Sequence, residues 1–214
     1  MLHVKTNTVQ GYKGMNIPFT MLSKKEDSEK LAILLPGAGY TVQAPILHYS
    51  TGVFINKSFD VLQVKYQYNN EFYADFSMDE LSEAIKVDVH TVLDSVRAER
   101  TYENVYLIGK SIGTIAMSSV LEREEFKKAK AIWLTPLIQR EDVLGSMAGS
   151  VNKGLFIIGD RDHHYSEEEF LKAAENPNIT TRLIPNVNHS LEYEEDIVES
   201  IDVLKSIIKD IENF

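Results

Sequence analysis

Short apolar runs, spaced along the chain and separated by segments of helical period, constrain the fold more than any other feature. They are "LAILL" (31–35), "VLQVKY" (61–66), "NVYLIG" (104–109), "AIWL" (131–134), "GLFIIG" (154–159) and "TTRLI" (180–184). Most are continuously apolar rather than alternating, which suits strands covered on both faces. Between them, Ser77 and Glu80 open "SMDELSEAIKVDVHTVLDSV" with capping-box spacing. Leu81, Ile85, Val89, Val92 and Val96 then step by four, four, three and four along one helix face. Ser166 and Glu169 repeat the capping spacing before Phe170, and the last segment places Ile197, Ile201, Leu204, Ile208 and Ile211 on one face. This alternation predicts an α/β fold with helices on both faces of a mostly parallel central sheet. The stretch "HVKTNTVQGYKGMNIPFTML" reads as two strands around a Gly-rich turn, an antiparallel N-terminal lead-in.

A length of 214 residues favours a single domain over residues 1–214. Only residues 135–153 separate "AIWL" from "GLFIIG". They leave room for a crossover helix at "REDVLGSM" but not for a separate cap domain. With 22 Lys and Arg against 32 Asp and Glu, the formal charge is −10. Such a surface repels phosphate backbones, so no nucleic-acid partner is expected. No apolar run has the length of a membrane span, and "MLHVKTNTVQ" lacks a charged region followed by an apolar stretch. Neither a membrane association nor a secretory signal is therefore expected. Cysteine is absent, which removes disulfides, thiolate metal sites and a cysteine nucleophile, and fits a cytoplasmic location.

In an open parallel sheet, chemistry sits at the carboxyl ends of the strands. The exit loops here are "PGAGYT", "GKSIG", "GDRDHH" and "PNVNHSLE". "GKSIG", Gly109 to Gly113, fits G-x-S-x-G. In that pattern a serine occupies a sharp strand-to-helix turn, and glycines remove the side chains that would collide with the neighbouring strand and helix. A plain helix cap is the competing role for Ser111. A serine hydroxyl needs a base to take its proton, and the base needs a third group to fix its tautomer. His189 lies in the loop before the last helix. Asp160 and Asp162 lie in the loop after the preceding strand.

With these motifs in this order, from "LAILLPGAGYT" to "NVNHSLE", the chain resembles the α/β-hydrolase superfamily, close to compact, lidless esterases and dienelactone-hydrolase relatives. The resemblance implies Ser111 as nucleophile and His189 as general base. It selects Asp162, three positions after Gly159, as the triad acid, with Asp160 as the fallback. It implies an oxyanion hole from the backbone amides of Ile112 and Ala38, with Gly39 and Tyr40 as alternatives to Ala38 and as substrate-lining positions. Where many relatives have His-Gly in that loop, this chain has Pro36-Gly37. A serine at position 111 points to acyl transfer to water, and against the branches that place aspartate there. The implied function is a serine hydrolase that cleaves small to medium carboxylic esters, a small-molecule acyl substrate, with no cofactor. Thioester or amide cleavage on the same triad, and an idle fold used for interaction, are the alternatives.

"DRDHHYSEEE" gathers Asp160, Asp162, His163, His164 and Glu167, but consecutive histidines on a loop rarely converge on one ion. A solvated acidic loop and no metal are expected there. His3, His48 and His90 are expected at the surface or as satisfied core residues, and Lys110 in a structural or surface role.

Overall fold

The computed structural model describes residues 1–25 and 27–214. Strands β1 (His3–Gln10) and β2 (Asn16–Ser23) form the antiparallel lead-in, joined by a short 3-10 turn at Tyr12–Gly14. They are followed by β3 (Lys30–Leu35), α1 (Pro45–Asn56), β4 (Asp60–Val64), α2 (Met78–Glu99), β5 (Asn104–Lys110) and α3 (Gly113–Leu121). Then come β6 (Lys130–Leu134), α4 (Glu141–Gly149), β7 (Gly154–Gly159), α5 (Glu167–Ala174), β8 (Ile179–Ile184) and α6 (Ile197–Asn213). The eight strands form one sheet in the order β1-β2-β4-β3-β5-β6-β7-β8. β2 meets β4 antiparallel, and every later pairing is parallel.

The continuous apolar runs are the central strands, buried on both faces. Ile33, Leu35, Leu107, Trp133, Phe156 and Ile158 turn toward one apolar layer. Ala32, Leu34, Ile108, Ile132, Leu134 and Ile157 turn toward the other. α2, α3, α4 and α5 cover the first layer, and α1 and α6 the second. On α2 the expected face is the buried one: Ile85, Val89 and Val92 are fully enclosed. Each such side chain contributes about 1.5–3 kcal/mol of gross burial.

Some local expectations change. β4 ends at Val64, so Lys65 and Tyr66 of the expected run lie beyond it, although the Lys65 amide still donates to the Pro18 carbonyl at 2.9 Å. The Ser77 hydroxyl caps α2 by accepting from the Glu80 amide at 3.2 Å, but the Glu80 carboxylate pairs with Lys13 instead of turning back to the cap. Ser166 caps α5 without a side-chain hydrogen bond to the helix amides.

The largest correction concerns α6. Its enclosed residues are Ser200, Ile207 and Ile211, whereas Ile197 and Ile201 are 71% and 57% exposed. Ser200 anchors the helix start by polar bonds: its hydroxyl accepts from the Tyr193 amide at 2.9 Å and donates to the Asp196 carbonyl at 2.6 Å. Ile197 and Ile201 lie about 60° and 100° around the helix from the inward Ser200, both on the same flank, and are left outside. Among the described residues no helix is long and apolar enough to cross a membrane.

Candidate active site

β3, β5, β7 and β8 release their exit loops along one edge of the sheet, and those loops meet around Ser111. Ser111 directly follows Lys110, the last residue of β5, and has φ 53°. A non-glycine residue in this left-handed region costs on the order of 1–3 kcal/mol and persists only where neighbours impose it. Here the Ser111 amide donates to the Leu134 carbonyl at 3.1 Å, and its carbonyl accepts from the Thr114 amide at 2.9 Å and the Thr114 hydroxyl at 2.6 Å. Gly113 explains how helix and strand approach so closely. A Cβ at this position would stand 2.2 Å from the Leu35 carbonyl oxygen, so only glycine lets α3 begin against the end of β3. The β3 exit loop is thereby seated beside the serine, where a Cβ on Gly37 would lie 3.4 Å from the Ser111 Cβ.

A second close approach brings in the histidine. A Cβ on Gly159 would lie 2.1 Å from the Val187 carbonyl oxygen, so the glycine draws the β8 exit loop against the end of β7. The Arg161 amide fixes this approach by donating to the same carbonyl at 3.1 Å. As a result His189 Nε2 stands 2.9 Å from Ser111 Oγ, and His189 Nδ1 stands 2.8 Å from Asp162 Oδ2 and 2.9 Å from Oδ1. Asp162 is only 4% exposed and also accepts from the His164 amide at 2.9 Å. Burial pushes the Asp162 carboxyl up. The hydrogen bonds from His189 and the His164 amide, with the charges of His189 and Lys110, outweigh it and hold the group below the ordinary carboxylate value. Asp160 does not join this chain: its Oδ1 accepts from the Asn186 amide at 2.6 Å.

Ile112 directly follows the serine and Ala38 follows Gly37 in the β3 exit loop, and among the described residues neither amide donates to a protein acceptor. The loop that holds Ala38 is braced by two hydrogen bonds. The Tyr66 hydroxyl donates to the Pro36 carbonyl at 2.7 Å, and the Gly37 amide donates to the Tyr40 carbonyl at 3.0 Å. Gly39 is exposed at the loop tip. Tyr40 is half-buried, its hydroxyl accepting from the Ile46 amide at 3.0 Å, and burial pushes its phenol up to about 12.

Of the structural and surface roles expected for Lys110, the structure gives it the structural one. It is not at the surface: the side chain is 1% exposed. Its Nζ donates to the Thr135 hydroxyl and to the His189 carbonyl, the latter at 2.6 Å, and lies 4.9 Å from the centre of the Tyr40 ring. Thr135, with φ 42°, occupies the matching exit position on β6. One ammonium thus ties together the loops after β3, β6 and β8. Burial pushes it down to about 7, opposed by the charges of Asp162 and Glu192. The available signal was a lysine at the end of an otherwise apolar strand, next to the elbow serine.

The other histidines divide. His3 and His48 are exposed. His90 Nε2 lies 2.8 Å from the Ser119 hydroxyl, and Arg123 donates to its Nδ1 at 3.1 Å. His163 is exposed, as expected of a solvated loop, but the two consecutive histidines do converge: their rings pack 4.1 Å apart and both lie beside His189. The bond from the His164 amide to Asp162 curls the loop back on itself and causes this convergence.

An elbow serine at a strand exit, on this strand order, defines the α/β-hydrolase class. A family model described as an alpha/beta hydrolase domain matches residues 28–214, and the chain belongs to that family. Solved structures share the fold at low identity. One is a cold-adapted esterase from an Arctic intertidal metagenomic library (14% identity, TM-score 0.72, 99% of this chain and 94% of that one). Another is an α/β serine hydrolase homologue from Coxiella burnetii (12% identity, TM-score 0.71, 96% of each chain). A third is a serine hydrolase without a lid from Xanthomonas campestris (16% identity, TM-score 0.68, 97% of this chain and 94% of that one). No curated protein matches the chain in sequence.

Proposed function

We propose that this chain is a serine hydrolase that cleaves small to medium carboxylic esters through an acyl-enzyme. The observation that carries the reading is the continuous hydrogen-bonded line from Ser111 Oγ through His189 to the buried Asp162, set on a left-handed elbow. In this reading His189 Nε2 takes the Ser111 proton as Oγ attacks the ester carbonyl. Asp162 holds the Nδ1 proton and stabilises the imidazolium that forms. The amides of Ala38 and Ile112 receive the oxyanion, assisted by the N-terminus of α3. Collapse of the tetrahedral intermediate breaks the ester C–O bond, and His189 returns the proton to the departing alcohol. Water, deprotonated by His189, then attacks the acyl-enzyme and frees Ser111. No step calls for a cofactor.

The substrate approaches from an open side. The connection between β6 and β7 carries only α4, which packs on the sheet face through Val143, Leu144 and Met147. Gly39 at the loop tip and the half-buried Tyr40 are the proposed lining. A shallow site of this kind suits compact acyl groups better than long ones.

The test is labelling with a fluorophosphonate probe, followed by digestion and mass spectrometry. The expected adduct is on Ser111 alone and is absent from Ser111→Ala. An adduct elsewhere, or none at saturating probe, contradicts the reading. A panel of esters, thioesters and amides of graded acyl length then ranks the substrate classes.

A further inference from the structure

Three imidazoles meet on the open side of the serine–histidine pair. His163 and His164 stand in the loop after β7, and their ring centres lie 4.9 and 5.2 Å from that of His189. One nitrogen from each of the three rings lies within 4.8 Å of the others. Two nitrogens that share a tetrahedral zinc ion at 2.0–2.1 Å stand about 3.4 Å apart. A bound ion therefore requires the nitrogens to draw closer by up to about 1.4 Å, and His163, the exposed ring of the three, has the most room to turn.

The surroundings have the form that imidazole metal sites require. A metal-bound histidine commonly gives its other ring nitrogen to a carboxylate, which fixes the tautomer and orients the ligand atom. His189 Nδ1 already faces Asp162, which leaves Nε2 for a metal, and Nε2 is the atom in contact with Ser111 Oγ. The same carboxylate also holds the backbone of His164, whose amide donates to Asp162 Oδ1 at 2.9 Å, and lies 3.8 Å from His163 Nδ1. The exposed His163 gives an ion an entry path. Three neutral nitrogen ligands with a fourth position open to solvent suit zinc.

We propose that His163, His164 and His189 bind a zinc ion, and that the ion switches the enzyme off by occupying His189 Nε2. The site rests on the triad reading for its effect on activity, but not for binding. With zinc on Nε2, the imidazole has no lone pair to accept the Ser111 proton, and acylation stops. Removing the metal restores the base, so the inhibition is reversible and no covalent bond changes.

The experiment separates binding from inhibition. Zinc is titrated by calorimetry into metal-free Ser111→Ala protein and into the same protein with His163→Ala, His164→Ala or both. In parallel, zinc inhibition of wild-type, His163→Ala and His164→Ala enzyme is measured on an activated ester, each against its own metal-free rate and with recovery by EDTA. The expected result is one ion per chain, with affinity falling about tenfold or more on loss of either histidine. The inhibition midpoint should shift in parallel, and EDTA should restore the rate. Unchanged zinc affinity in the double variant overturns the site, as does the absence of saturable binding. Unchanged inhibition in both single variants overturns the switch. If the protein binds zinc as expected but hydrolyses no ester and takes no fluorophosphonate, the site stands and the hydrolase reading falls.

Discussion

Of the aspartates buried in this molecule, Asp88 and Asp162 meet opposite fates. Asp88, on α2, is fully enclosed and accepts from the Tyr12 amide at 2.6 Å and the Tyr68 hydroxyl at 2.7 Å. The rings of Tyr68 and Tyr73 pack beside it, 4.8 Å apart. Burial raises its carboxyl above the ordinary value, and the two neutral donors only partly oppose this. Asp162 is nearly as buried, yet its carboxyl is held low, because its partners include an imidazole and a nearby ammonium. The difference lies in the hydrogen bonds and nearby charges that each carboxyl meets rather than in depth. Asp88 ties the β1–β2 turn to α2. In the proposed mechanism Asp162 carries the negative charge that an imidazolium on His189 needs.

Neutralising each aspartate should separate these roles. Asp162→Asn is expected to lower kcat/KM by about 10⁴-fold, because the amide no longer fixes the right tautomer of His189. Asp88→Asn should leave kcat/KM near wild type and instead destabilise the fold by about 1–3 kcal/mol, as its Nδ2 meets the Tyr68 hydroxyl as a second donor. Rates on one activated ester, with denaturant curves for both variants, check this pair. The contrast fails if Asp88→Asn is the more damaging to turnover.

Lys110→Met removes the tether to the His189 carbonyl while keeping most of the side-chain volume. A small misplacement of a catalytic group costs up to about 10²-fold, and the loss should appear in kcat more than in KM. Steady-state kinetics reads that split. Asp160→Asn should cost less than about tenfold, since its oxygen can still accept from the Asn186 amide.

The two aspartates should also pull stability in opposite directions with pH. A carboxyl held below its ordinary value of 3.8 contributes stability above that pH, and the contribution is lost as pH falls through the lowered value. That is the case of Asp162. A carboxyl raised above 3.8 contributes stability below that pH, and loses it as pH rises through the raised value. That is the case of Asp88. Denaturant curves between about pH 3 and pH 7 should therefore show the wild-type advantage over Asp162→Asn growing with pH, and that over Asp88→Asn shrinking. Parallel slopes would remove the electrostatic distinction.

The same contrast explains what the sequence made legible. The central strands could be read because they are continuously apolar, and the antiparallel lead-in because a Gly-rich turn separates two short runs. Ser111 could be singled out because Gly109 and Gly113 frame a strand exit, and His189 because it stands in the loop after the last strand, whereas Asp162 was chosen over Asp160 only through the family resemblance. Asp88 and Lys110 were not legible as buried groups. Their partners, Tyr12, Tyr68, Thr135 and the His189 carbonyl, lie far away in the chain, and no local pattern links them. The stripe on α6 misled for a related reason. Period alone marks an apolar face, but the inward anchor is Ser200, whose bonds to Tyr193 and Asp196 depend on the loop before the helix.

If Ser111 attacks an acyl group with His189 as its base, the acyl-enzyme should be seen directly in the intact mass of the protein, quenched soon after mixing with an activated ester whose acyl-enzyme hydrolyses slowly. The expected result is a single added acyl group, mapped to Ser111 by peptide sequencing. It should be absent in Ser111→Ala and form far more slowly in His189→Ala. Turnover with no acyl adduct, or an adduct that persists in Ser111→Ala, would contradict attack by Ser111.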